Sequence, residues 1–296
     1  MTAPAAAQSG PTAARISGNR LHLAHGPIDL VIGAFGPPAS VERAYERAAA
    51  AFDGLLESLV AVLPRLRAPV GTADGLPSAA RLMQRATTPL AIDRFVTPMA
   101  AVAGAVADTV MAAIRQVPGI ERAYVNNRGD IAVHLTPGAS IAIGLVPELR
   151  RPLLAASLRL HHEDGVGGVA TSGWDGRSFS LGIADAVTVL ARSAAEADAA
   201  ATLIANAVDA EDPAIERSPA ADLDPDSDLG RLPVTTAVGC LNDATIAKAL
   251  DNGARYAQTL VDRQLVRAAM LVLKGKARVV GGLGVEAHRK EIGCST

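Results

Sequence analysis

Two oxygen-bearing side chains, Asp198 and Thr202, stand four residues apart in the run Ala197-Asp198-Ala199-Ala200-Ala201-Thr202. On a helix that spacing puts both on one face. A carboxylate beside a hydroxyl suits Mg2+, which takes one or two carboxylates and completes its shell with water or phosphate oxygens. Asn206 continues the face one turn later. The competing reading is an ordinary polar stripe on an Ala-rich helix. A second cluster, Asn126-Asn127-Arg128-Gly129-Asp130, lies between two apolar runs. Gly129 would let the backbone approach a ligand that Asn and Asp side chains hydrogen-bond. The same residue types also make hairpin turns, because they tolerate positive φ. Third, Thr171-Ser172-Gly173-Trp174-Asp175-Gly176-Arg177 carries hydroxyls and a guanidinium able to hold a phosphate or carboxylate, in a composition that solvated loops share. Trp174, the single Trp, could pack inside or stack on a planar ligand. His161-His162-Glu163-Asp164 makes a poor metal site, because adjacent strand residues face opposite sides of a sheet. No Ser-His-Asp signature, P-loop or Gly-x-Gly-x-x-Gly run is present.

These residues need elements to position them. Arg20 to Ile32 alternates around Gly26-Pro27 and predicts a two-strand hairpin. A helix is predicted from Ser40, as its cap, with Ala44, Ala48, Phe52, Leu55 and Leu59 at helical spacing to about Leu63. Pro64 to Pro77 predicts a loop and Ser78 to Gln84 a short helix. Pro98 to Gln116 predicts a helix apolar on most faces, hence buried against a sheet. Gly104 inside it costs about 1 kcal/mol relative to Ala, which predicts a strand or a ligand close to its backbone. Strands are predicted at Ala123 to Val125, Asp130 to Leu135, Ser140 to Leu145 and Ala186 to Ala191. Ser193 and Glu196 have capping-box spacing for the helix that carries Asp198 and ends near Val208. Glu211 to Arg231, acidic and rich in Pro, Asp and Ser, reads as a surface excursion. A strand near Leu232 to Val238, a helix from Asn242 to Leu260, and a strand pair turning at Lys274-Gly275 follow. Strands separated by helices without clean βαβ alternation point to an α+β fold.

Composition bounds the partners. The chain has 296 residues, 49% of them apolar and only 3% aromatic, so its core is built mainly from Ala, Val and Leu. A net charge of −2 and the lack of a basic tract argue against nucleic-acid binding. Met99 to Ile114 contains Asp108 and falls short of the roughly 20 apolar residues of a membrane span, so no membrane partner is expected. Cys240 and Cys294 give neither a disulfide framework nor a zinc spacing. Met1 to Ala14 has no signal-peptide pattern, which makes the cytoplasm the expected compartment.

The order of these segments resembles the ApbE-like superfamily, whose characterised members are Mg2+-dependent FAD:protein FMN transferases. The motifs are Ala103-Gly104-Ala105-Val106-Ala107-Asp108, Tyr124 to Ile131, Val169 to Gly173 with Arg177, Val187 to Ala191, and Ala197 to Thr202. They span about residues 95 to 210, and the likeness is closest to a short, unlipidated, uncharacterised branch. The resemblance implies an α+β fold with a mixed, mainly antiparallel sheet and packed helices, T-fold-like in architecture. It implies one domain over 15–282 that includes the acidic loop 211–231; the Ala/Pro-rich stretch 1–14 reads as a disordered tail and 283–296, with little pattern, as a flexible one. It further implies FAD or another flavin nucleotide against Asn126, Asn127, Arg128, Gly129, Asp130, Thr171, Ser172 and Gly173. Mg2+ would sit on Asp198 and Thr202, and an acceptor flavoprotein would receive FMN on a Ser or Thr. Where the family carries His-Ile-Ile-Asp-Pro, this chain has Gly182-Ile183-Ala184-Asp185, and no Lys lies between Pro98 and Gln116. Asp185 and Arg177 are therefore the candidate catalytic residues. The alternatives are a non-catalytic flavin- or nucleotide-binding protein, or the same fold reused for another small-molecule reaction. The Gly/Ala-rich helix would also allow a homodimer.

Overall fold

The computed structural model describes residues 10–92, 94–145 and 156–282. The chain opens with a three-strand antiparallel meander, β1 (Thr12–Ile16), β2 (Arg20–His25) and β3 (Ile28–Phe35). The Gly26-Pro27 hairpin is as expected. Strand β1 starts at Thr12, inside the stretch 1–14 expected to be disordered; residues 1–9 and 283–296 lie outside the described residues.

Helix α1 (Pro38–Phe52) begins two residues before Ser40, and Pro37 is its cap, with no side-chain hydrogen bond. Proline suits that end because its missing N–H has no helical partner there. The expected long helix breaks at Asp53-Gly54, where Gly54 takes a left-handed conformation, and resumes as α2 (Leu55–Val60) and α3 (Leu63–Leu66). Helix α4 (Ser78–Thr87) follows. A 3-10 turn (Pro98–Ala101) leads into α5 (Val102–Arg115). Together they form one stretch, Pro98–Arg115, long and apolar enough by length and composition to cross a membrane, contrary to the sequence expectation. In the fold it is a core helix, packed on α1 and α4 and on the next two strands.

Those strands are β4 (Arg122–Asn127) and β5 (Asp130–Leu135). Next come β6 (Ser140–Leu145) and β7 (Ala156–His161), a separate two-stranded ribbon. The sequence reading missed β7 and also β8 (Gly168–Ser172), whose glycine-rich start reads as loop. The chain continues through β9 (Ala186–Ala191), α6 (Ala194–Ala207), β10 (Ile215–Pro219), α7 (Ala220–Leu223), β11 (Pro233–Val238), α8 (Asp243–Asp262), β12 (Ala268–Leu273) and β13 (Lys276–Gly281). The acidic segment 211–231 is thus structured, because β10 pairs with β11.

Nine strands form one sheet in the order β1-β2-β3-β4-β5-β8-β9-β12-β13. Every pairing among the described residues is antiparallel, so the sheet is antiparallel throughout and not mixed. Alternation sends Ala170, Val187, Val189 and Leu271 into the core shared with α5, α6 and α8. Val133, Val169, Leu190 and Ala268 face the other side, where Ile143, Leu158 and Leu160 of the ribbon cover them. Helices on one face and a ribbon on the other bury both sides of the sheet at β5, β8, β9 and β12, while the edge strands β1 and β13 stay largely exposed, and the architecture is α+β.

Candidate functional site

Two crossing helices place the central carboxylates. Asp108 on α5 accepts hydrogen bonds from Ala194 N (3.1 Å) and Ala195 N (2.9 Å), the first N–H groups of α6. Ser193 accepts from Glu196 N (3.2 Å), as the capping spacing predicts. In return Asp198 on α6 accepts from Gly104 N (3.0 Å) near the start of α5. Each helix therefore caps the other with an aspartate, which satisfies orphan N–H groups and opposes each dipole with negative charge. The close neighbour of Gly104 is neither a strand nor a ligand but the first turn of α6. A Cβ at Gly104 would lie 2.2 Å from Ala194 O.

Asp198 and Thr202 share one helix face, and both line a cavity of roughly 700 Å³. Its walls also include Asn127, Arg128 and Asp130 from the β4–β5 connection and Thr171, Ser172 and Gly173 from the end of β8. The two regions singled out by sequence thus converge. The connection itself is a two-residue hairpin turn: Asn127 pairs with Asp130, and Arg128 and Gly129 have φ of 56° and 119°. Asn126 accepts from Gly129 N (2.8 Å) to hold that turn, and neither residue lines the cavity. Asn127 is buried and donates to Ala103 O (3.1 Å), tying the turn to α5. Arg128 pairs with Asp29 at 3.4 Å. Thr171 meets Thr188 at 2.9 Å. The apolar wall of the large cavity is formed by Leu56, Leu59, Val60, Leu63 and Leu66 of α2–α3 and by Val102 and Val106 of α5, while Asp175, Arg177 and Ser178 add further polar lining.

A smaller cavity of roughly 340 Å³ adjoins it, sharing Asp130, Asp198, Thr202 and Arg177. Its lining also includes Arg67, Thr97, Asn206, Asp224 and the run Asp226 to Leu229 with Asp228. Thr97 donates to Asp228, which fixes that segment over the opening. Asn206 accepts from Leu181 N (2.9 Å) and Ser180 Oγ (3.1 Å), so its amide is structural. Arg67, the α2–α3 wall and the acidic segment carry no sequence signal as site components, because none lies near the polar motifs in the chain.

At the junction of the two cavities, burial pushes the Asp198 carboxyl up to about 7, opposed by the Gly104 and Ala103 N–H groups, with the Asp108 charge raising it further. Burial, then the Asp198 charge, raises Asp130 well above the usual carboxylate range, while a hydrogen bond from Thr171 N opposes this. Two carboxylates that resist ionising together are what a divalent cation would relieve. Two carboxylates and a hydroxyl are also a hard-oxygen set that fits Mg2+ with room for phosphate oxygens. Among the described residues no cluster of three or more His, Cys, Asp or Glu offers another metal site.

Asp185 lies elsewhere. Its carboxylate accepts from the Trp174 indole N–H (3.3 Å) and from the Lys274 backbone N–H, and it lines neither cavity. Trp174 packs against the core. His162 meets Leu135 O through Nδ1 (2.7 Å) and Asp164 accepts from His161 N (2.7 Å), so the His-His-Glu-Asp run closes a turn.

The family model described as "AbpE bacteria" matches residues 13–279. The chain belongs to this ApbE-like family. A UPF0280 protein of Methanopyrus kandleri is 43% identical over 156 residues, covering 51% of this chain and 59% of that protein. One of Methanothrix thermoacetophila is 40% identical over 114 residues, covering 38% and 46%. This chain thus spans about half the length of these curated relatives. Among solved structures, the apo flavinyl transferase ApbE of Pseudomonas stutzeri has a TM-score of 0.41 at 15% identity, covering 94% of this chain and 95% of that one. The ApbE protein of Thermotoga maritima has a TM-score of 0.36 at 16% identity, covering 82% and 74%. TM-scores this low establish no shared activity.

Proposed function

We propose that this ApbE-like protein is a cytoplasmic, Mg2+-dependent flavin transferase that takes FAD and transfers FMN to a Ser or Thr of an acceptor protein. One observation carries the reading. The Asp198/Thr202 face, the Asn127–Asp130 turn and the Thr171–Gly173 strand end meet on a single cavity in a chain of this family. The apolar wall of α2–α3 suits a flat flavin ring, and the polar junction suits the phosphates. Asp198, Thr202 and Asp130 would hold the cation, which when bound would offset charge on the phosphate oxygens. Arg177, at the junction, would neutralise charge developing on the departing AMP. Thr171, Ser172 and Asn127 would orient the nucleotide, so that the work of the protein is positioning and charge stabilisation. In balance, the acceptor hydroxyl gives up its proton to solvent, its oxygen bonds to the FMN phosphorus, the bond from that phosphorus to the bridging oxygen breaks, and AMP leaves with that oxygen.

A second reading, a flavin- or nucleotide-binding protein without transferase activity, is favoured by Asp185. Both of its carboxylate oxygens are taken, so it is not poised to remove a proton from an acceptor hydroxyl. Incubation with FAD, Mg2+ and candidate acceptor proteins distinguishes the two. Covalent flavin fluorescence on an acceptor with stoichiometric AMP release supports transfer. FAD binding with neither signal, across acceptors, rejects transfer in favour of binding alone.

A further inference from the structure

The smaller cavity contains a charge problem that the nucleotide reading leaves open. Asp130, Asp198, Asp224, Asp226 and Asp228 all line it, so a phosphate there meets five acidic side chains. A cation on Asp130 and Asp198 offsets two of them. The remaining positive charge on this lining comes from Arg177 and Arg67.

Arg67 follows directly on α3, and its backbone N–H closes that helix on Leu63 O at 3.0 Å. Leu63 and Leu66 of the same short helix line the apolar cavity, so one element presents apolar surface to one chamber and a guanidinium to the other. Its neighbour Arg65 has a different task. That guanidinium donates to Thr72 O (3.2 Å) and Asp74 O (3.1 Å) and holds the loop after α3 in place. Arg65 is a structural tie, and it fixes the segment from which Arg67 extends.

We propose that Arg67 is a specificity-determining residue of this site, holding the phosphate groups of the nucleotide in the cavity whose lining it shares with Asp130 and Asp198. The fork of a guanidinium pairs with two anionic phosphate oxygens, a stronger contact than the neutral carbonyl and nitrogen acceptors of a flavin ring offer it. Arg67 therefore selects phosphorylated ligands over the bare flavin. The inference rests on the nucleotide reading of the cavity, and it deepens that reading by assigning a residue outside the family motifs.

Titration of the full chain in Mg2+ with FAD, riboflavin and ADP, for wild type, Arg67→Ala and Arg67→Lys, tests it. Arg67 is exposed, so the variants keep the fold. The expected result is a loss on the order of ten- to a hundredfold in affinity for FAD and ADP in Arg67→Ala, with riboflavin unchanged and Arg67→Lys intermediate. FAD and ADP binding as tight in Arg67→Ala as in wild type overturns the role of Arg67 and leaves the flavin reading standing. Wild type that binds ADP in an Arg67-dependent way but not FAD or riboflavin rejects the flavin reading and retains the phosphate role. Wild type that binds none of the three rejects both.

Discussion

Replacing Gly104 by Ala tests the helix crossing that supports the candidate site. A Cβ there would sit 2.2 Å from Ala194 O, 2.4 Å from Ala194 C and 2.6 Å from Ala195 N, about 1 Å inside ordinary van der Waals contact. All three atoms are backbone, so no rotamer change relieves the clash, and α5 and α6 must separate. Overpacking of this kind costs about 1–3 kcal/mol. Ala regains about 1 kcal/mol of helix propensity over Gly. Separation also stretches the Asp108 bonds to Ala194 and Ala195 and the Asp198 bond to Gly104, and weakened caps cost about 1 kcal/mol each. The net expectation is a loss of about 2–3 kcal/mol, or a Tm lower by about 3–5 °C in a protein of this size. Urea unfolding followed by circular dichroism measures the loss, and Mg2+ titration of the same variant reads the displaced Asp198. A Gly104→Ala protein within about 0.5 kcal/mol of wild type, with unchanged Mg2+ affinity, refutes the reciprocal-cap account.

Three further outcomes follow from the geometry. Asp108→Ala leaves the first N–H groups of α6 without their acceptor and lowers stability by about 1–3 kcal/mol in urea unfolding; a neutral result contradicts the cap. Asp185→Ala lowers stability by about 1–3 kcal/mol but changes FAD affinity less than about twofold, since its partners are Trp174 and Lys274; a catalytic Asp185 would show the reverse pattern. Asp198 and Asp130 both have raised folded-state values, so the folded protein retains protons that the unfolded chain releases above its ordinary value of 3.8. Without metal, stability therefore falls as pH rises from about 4 through about 7, and thermal melts at pH 5 and pH 8 in EDTA should show it. Added Mg2+ at pH 8 should restore the loss, and a pH-independent Tm in EDTA would contradict the assignment.

The strands and helices were legible where side-chain periodicity alone decides them. The 20–35 hairpin, the strand at 186–191, the Ser193 cap and the final strand pair all follow from local pattern. What sequence could not show depended on contacts distant in the chain. Asp108 and Asp198 each cap a helix some 90 residues away, and no local spacing records that. Gly54 interrupts a helical pattern that apolar spacing carries straight through it. The glycines at the start of β8 read as loop, yet a Cβ at Gly168 would fall 2.1 Å from Ser193 C, so the sheet needs Gly there to let α6 begin against it. For the candidate site, the sequence motifs mark its floor at Asn127, Asp130, Thr171, Asp198 and Thr202. Its apolar wall at Leu56 to Leu66 carries no motif, because a ring-binding surface and a core helix face have the same composition.

Calorimetric titration of the wild-type protein with FAD, in Mg2+ and again in EDTA, tests the central claim most directly. Saturable one-to-one binding in Mg2+ that weakens at least about tenfold in EDTA is the expected result. No heat of FAD binding in either buffer, or equal affinity in both, would contradict a flavin site organised around a cation at Asp198 and Thr202.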